Sequence, residues 1–303
     1  MKPQAPNGVF NTMRASIFFV ALGWTSVAHS DPHAFWQSWS DGQAEVSGYA
    51  LTVERYGQVR QGHAVLIYVT EPFSVSKRVK VDRYDPTNPD HFIALKLNVL
   101  KRFQTGMYEY AVMTSIFTDP KADFRMVKAT FSSQEWCGQV FENLGVLDDQ
   151  TRLTIESYFE GESTTRTFPG RVETEDALWV QARGLSAGGP GQPMPVAQRI
   201  SGATHRRLNH RRAKPRPVKA TWTKPHTLTT PAGRVTVRSV RWQRDPTTQC
   251  ELNVEVAPPY RIIGWACDDG ENARLTGTQR VPYWNKTRLG DERLLKALGL
   301  PLP

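Results

Sequence analysis

The sequence predicts an all-β, mainly antiparallel protein, a curved sheet, sandwich or open barrel with one short C-terminal helix. Three observations predict it. Apolar and polar residues alternate with a period of two along most of the chain, so successive side chains turn to core and to solvent. Gly, Pro, Asp and Asn interrupt these runs at the short, regular spacing of sandwiches and barrels. A clear helical period appears near the C-terminus alone. With 303 residues, 39% hydrophobic and 22% charged, the chain can bury a sizeable core and does not have the composition of a disordered protein.

Residues 1–30 read as a secretory signal peptide. Arg14 precedes Ile17 to Val27, an apolar run of eleven residues, short of the ~20 that span a bilayer. Ala28-His29-Ser30 then sets small residues ahead of a cut before Asp31. Met13 is an alternative start. With no cysteine beside the cut, a lipoprotein anchor is not expected, and no later apolar run reaches spanning length. The expected location is outside the cytoplasm, periplasmic or secreted, in an oxidising space.

Residues 31–183 form the N-terminal β region. Phe35, Trp36 and Trp39 lead into the alternating run Ala44 to Glu54. His63 to Thr70 is continuously apolar and β-branched, the signature of a strand covered on both faces. Lys77 to Val81 reads as a short exposed strand, and 85–90 as a loop. The longest patterned stretch follows, from Phe92 to Phe141. Ile93, Leu95, Leu97 and Val99 share one face, Gln104-Thr105-Gly106 turns the chain, and Tyr108 to Ile116 repeats the alternation. Asp119-Pro120 breaks it before Met126 to Phe141 returns. Arg152 to Phe159 and Ala177 to Ala182 are read as further strands.

Residues 184–217 differ in kind, with five Gly, five Pro and the run Arg206, Arg207, Arg211, Arg212, Lys214 and Arg216. From Ala177 to Arg244 there are 14 Lys and Arg and no Asp or Glu, although the whole chain carries only +9. The rest of the chain is therefore net acidic. A long Gly/Pro-rich loop in a compact domain is either functional or a linker. Arg206, Arg207, Arg211 and Arg212 are the candidate anion-binding residues, and lipid phosphate, an acidic envelope polymer or an acidic protein face are the candidate partners. Peripheral membrane contact fits the same charge. Nucleic acid is set aside, because export opposes it and no binding motif is present.

Residues 218–289 resume the strands and are read as completing the same domain. Arg234 to Trp242 alternates, and the two halves of a hairpin, CELNVEV and YRIIGWAC, flank Ala257-Pro258-Pro259. Cross-strand partners have a constant summed index, so Cys250 should face Cys267 within disulfide reach, with a pair of buried thiols as the alternative. Ala273 to Thr278 and Val281 to Trp284 finish the sheet. Residues 290–303 are the helix and tail, with Asp291 as cap and Gly299-Leu300-Pro301 as stop.

The chemical motifs are weak. Gly184-Leu185-Ser186-Ala187-Gly188 matches a hydrolase nucleophile elbow, but the Gly/Pro run after it cannot be the required helix, and no acid separates Ser186 from His226. Glu135 and Cys137 could form a thiol site with His63 or His91 as base. His205, His210 and His226 have arginine neighbours and no local carboxylate, so neither a metal nor another cofactor is expected.

The strings AEVSGYALTVERYG, AVLIYVTEPFS, SSQEWCG and DDGENARLTGTQRVPYW, with Phe35-Trp36, resemble an uncharacterised family of exported bacterial proteins, some of them labelled septum formation inhibitors. That label names a nucleotide pyrophosphatase with a cytoplasmic α/β fold, which a leader and an all-β pattern do not match. The chain more loosely resembles the clam-shaped periplasmic half-barrels that hold lipid or lipoprotein chains. That resemblance implies a binding surface on a curved sheet. The expected function is a non-enzymatic binding module for an apolar or anionic cell-envelope ligand. The alternatives are an envelope hydrolase or thiol enzyme using Cys137 with Glu135, and a structural or assembly partner in the envelope.

Overall fold

In the computed structural model, which describes residues 1, 32–185 and 187–302, the alternation becomes one antiparallel sheet of fourteen strands. The expected leader from residue 2 onward and Ser186 lie outside the described residues. After helix α1 (Pro32–Trp39), a meander runs through β1 (Ala44–Arg55), β2 (Gln58–Ser74), β3 (His91–Thr105), β4 (Tyr108–Asp119), β5 (Arg125–Glu135), β6 (Gly138–Val146), β7 (Gln150–Ser157) and β8 (Thr164–Pro169). The chain then leaves the sheet through β9 (Glu173–Thr174), α2 (Leu178–Gln181), β10 (Ala197–Ile200), α3 (Ala203–Leu208) and β11 (Arg216–Val218). It returns as β12 (Thr221–Trp222), β13 (His226–Thr230), β14 (Gly233–Gln243), β15 (Gln249–Glu255), β16 (Ile262–Cys267) and β17 (Asn272–Val281). Strand β1 pairs with β2 on one side and β17 on the other, which joins the two β regions into one sheet. Its ends, β8 and β12, do not meet.

Register follows the pattern read from the sequence. Leu97 lies between Tyr68 and Ile116 across β2, β3 and β4, and all three are buried. The sheet must curl. Laid flat, fourteen strands would span roughly 60 Å at ~4.8 Å each, yet Phe168 on β8 and Val240 on β14 belong to one buried cluster with Tyr49 and Leu97. What closes that cluster is the segment between the two halves. Trp179 of α2 stands edge-on to Trp242 and Trp265, at 5.7 and 5.9 Å, and its carbonyl accepts from the Tyr68 hydroxyl at 2.8 Å. From the other side α1 contributes Phe35, stacked on Trp39 and edge-on to Phe124.

The structure corrects several expectations. Ala177 to Ala182 is not a strand. Leu178, Trp179 and Val180 are buried inside the curl as a short helix, and a short apolar run cannot be told from a buried helical turn by its period. Residues 184–217 are not a free loop, since they contain the helix α3 and the strands β10 and β11, which with β9 make a separate three-stranded sheet. Lys77 to Val81 makes an isolated bridge, Phe73 to Lys80, in place of a strand. The sheet ends at Val281, and Tyr283–Asn285 is a single 3-10 turn. The expected hairpin is present, with Cys250 opposite Cys267 and the two sulfurs bonded.

The C-terminal helix is 3-10, Asp291–Leu298, and packs on the face of β1, β2 and β17 turned away from the large core. Two glycines make this approach possible. Gly48 and Gly277 are cross-strand partners, and a Cβ on either would overlap the carbonyl oxygen of Leu298 or Ala297 respectively.

Candidate functional site

Between that C-terminal segment and the sheet lies a cavity of about 510 Å³. Val46, Val65, Ile67 and Val281 form its floor, and Leu295 and Leu298 its roof. Alternation along β1 and β2 explains the floor. Tyr49 and Leu51 of β1 and Leu66 and Tyr68 of β2 serve the inner core, which leaves Val46, Val65 and Ile67 facing outward. The roof is fixed by two side-chain bonds, from the Thr276 hydroxyl to the Leu298 carbonyl at 2.5 Å and from the Gln279 amide to the Leu294 carbonyl at 3.0 Å. At the mouth, Tyr283 and Leu289 are exposed apolar groups beside Lys286 and Arg288. Asp291 and Glu292 spend their carboxylates on the backbone amides of Arg288 and Gly290, and neither cation enters an ion pair among the described residues.

The inner, concave face is occupied by the large core cluster. It carries a set of buried ion pairs, some joining the inserted segment to the sheet and one within the sheet region itself. Arg183 forms a two-pronged pair with Glu45 at 2.8 and 2.9 Å and lies 4.3 Å above the Tyr68 ring. Arg244 bridges Glu175 at 2.5 Å and Asp269 at 2.9 Å, while Glu175 also accepts from the Trp242 indole and the Gly202 amide. Lys101 meets Glu271 at 2.5 Å, and Trp265 donates to the same carboxylate. Burial alone would raise the Asp269 carboxyl, but the His205 hydrogen bond and the Arg244 charge hold it well below its ordinary value. Burial is likewise outweighed at Glu271 by Lys101 and Arg244.

The four candidate anion-binding arginines are divided by the fold. Arg206 and Arg207 sit on α3, 3% and 4% exposed, paired with Glu142 and Glu135. An external anion cannot reach them, so that part of the expectation is corrected. The physical reason is that the basic segment complements an acidic sheet, and its partners lie more than sixty residues away in sequence. Arg211 and Arg212 are exposed.

Cys137 is exposed on the turn between β5 and β6. The Glu135 carboxylate beside it is committed to Arg207. His91 begins β3, at the end opposite this turn, and His63 faces Arg102 in the ladder. The structure does not assemble a thiol site from these residues. His205 lies between Asp269 at 2.8 Å and Asp245 at 3.4 Å, distant acids that local sequence could not supply. His210 meets Glu162 at 2.6 Å, and His226 reaches Ser239 at 3.5 Å. Among the described residues no group of three or more His, Cys, Asp and Glu is arranged to hold a metal ion.

The sequence reading missed the cavity, because Val46, Val65 and Ile67 of its floor lie more than 200 residues from Leu295 and Leu298 of its roof. The available signal was Gly48 within an alternating strand pattern, since glycine there marks a close backbone approach. Comparison of the chain with protein-family models and with curated proteins finds no match.

Proposed function

We propose that the protein is a non-enzymatic carrier or sensor of an amphiphile in the cell envelope. An acyl-type chain occupies the outer-face cavity, and an anionic head group rests on Lys286 and Arg288. One observation carries the reading: an apolar cavity of about 510 Å³ opens beside two unpaired cations, while the concave face is filled by the chain itself. Ligand pockets of this kind are mainly apolar and combine a few polar groups with volumes of roughly 300–1,000 Å³. Ten methylenes at ~0.8 kcal/mol each give a gross gain of about 8 kcal/mol, the equivalent of micromolar affinity before ordering costs are subtracted, and the head-group contacts offset part of those costs. The Cys250–Cys267 bridge fits an oxidising space outside the cytoplasm.

The test is titration with a fluorescent fatty-acid probe. Ile67→Trp, which fills the floor, should weaken binding at least ten-fold. Lys286→Glu with Arg288→Glu should weaken the acid probe more than the corresponding alcohol. Equal affinity in the wild type and Ile67→Trp would exclude the cavity.

A further inference from the structure

A second pocket, of about 310 Å³, opens on the same outer face, three to five strands from β2, and its lining is cationic. Lys128 on β5 and Arg152 on β7 flank Gly145 on β6 in one cross-strand row, with Lys128 opposite Gly145 and Gly145 opposite Arg152. The next row of the same face supplies Asn143 opposite Thr154. The turn after β2 brings Lys77 and Arg78 over them. Arg78 lies across Gly145, where a side chain would displace its guanidinium, and the Arg78 carbonyl accepts from Lys128 Nζ at 2.7 Å. Arg78 holds a left-handed backbone, φ 53°, in making this turn. Four cations thus converge on a recess with an amide, a hydroxyl and no carboxylate in its lining, and among the described residues none of the four is in an ion pair.

Like charges gathered in one recess repel one another, and a bound anion relieves that repulsion. Lys128 registers that cost, its ammonium being pushed below its ordinary value by burial and by the charges of Arg78 and Lys96. Two planar guanidiniums together with an ammonium suit tetrahedral oxyanions, which take two-pronged bonds from arginine.

We propose that Lys77, Arg78, Lys128 and Arg152 form a binding site for a phosphoryl group, either free or as the head of a phosphate-bearing envelope molecule. This site is separate from the amphiphile cavity. In the ladder, Ile67 and Asn143 lie four strands apart in one row, about 19 Å at ~4.8 Å per strand.

The experiment is calorimetric titration of the full chain with inorganic phosphate at low ionic strength, with the Gly145 amide resonance followed in parallel. Saturable binding that shifts Gly145 is expected, and Arg152→Gln should weaken it at least ten-fold, as for the loss of one charged hydrogen-bond donor. Lys128→Gln should do the same. Arg152 is exposed on its strand, so its substitution leaves the fold intact even if the Lys128 variant disturbs the turn. Flotation with phosphatidylglycerol and phosphatidylcholine vesicles identifies the source: retention on the former that phosphate competes away assigns a lipid head group, and retention on neither assigns a soluble phosphate. Ile67→Trp should leave phosphate binding unchanged, so the two sites fail separately. Absence of phosphate binding in the wild type, or binding indifferent to both substitutions, overturns the proposal.

Discussion

Gly48→Ala puts the architecture of the cavity to a direct test. An added Cβ would overlap the Leu298 carbonyl oxygen and come within 3.1 Å of the Leu298 Cβ. The strand cannot retreat, because Gly48 is paired with Val65 on one side and Gly277 on the other. The C-terminal segment must therefore move. A small displacement costs about 1–3 kcal/mol, as for other overpacked sites. Full release exposes Leu298 and Leu300, buried in the wild type, at roughly 1.5–3 kcal/mol each. It also breaks the bonds from Thr276 and Gln279, each worth ~1 kcal/mol. Urea unfolding should accordingly show a loss of at least ~1 kcal/mol. The same variant should bind the fatty-acid probe at least ten-fold more weakly, while near-ultraviolet dichroism from the Trp179, Trp242 and Trp265 cluster on the opposite face stays unchanged. Ala50→Ser, two residues further along the same face and exposed, should be silent in all three measurements. A Gly48→Ala protein with wild-type stability and probe affinity would refute the packing argument.

Two further outcomes follow from the buried charges. Arg183→Met strands the Glu45 carboxylate in the core and should cost about 3–5 kcal/mol in chemical denaturation, whereas Glu45→Leu combined with Arg183→Met should recover most of it; equal losses in both would contradict the pairing. The pH profile of Tm should have two limbs: Glu142 and Asp176, raised by burial from ordinary values of 4.5 and 3.8, disfavour the folded state at neutral pH and are relieved as they take up protons. Glu271 and Asp269, held below 4.5 and 3.8, contribute stability that is complete above those values and lost as pH falls through their lower folded values. Tm should hold or rise from neutral into mild acid and drop below about pH 4, and a steady fall beginning at pH 7 would contradict these assignments.

The strands were legible because alternation records a local fact, the side of the sheet on which each residue lies. Leu95, Leu97 and Val99 need only their neighbours to be assigned, and the Cys250–Cys267 pairing needs only a turn and an index. What could not be read depends on partners remote in sequence. Arg206 and Arg207 look like a free basic run until Glu142 and Glu135 are brought against them. Leu178 to Val180 look like strand because apolar residues at three adjacent positions say that a segment is buried and not how it is coiled. The cavity was hidden for the same reason, since Val46 and Leu298 are neighbours only after β1 has paired with β17. The basic pocket was equally hidden, its cations being scattered over positions 77 to 152.

The most direct measurement of the proposed function is methyl NMR of the valine, isoleucine and leucine side chains during titration with an anionic fatty acid. The account predicts saturable shifts confined to the methyls that line the cavity, Val46, Val65, Ile67, Val281, Leu295 and Leu298 foremost, with the methyls of Leu66, Leu97 and Val240 on the inner face unmoved. Shifts centred on the inner-face methyls, or none at all, would contradict it.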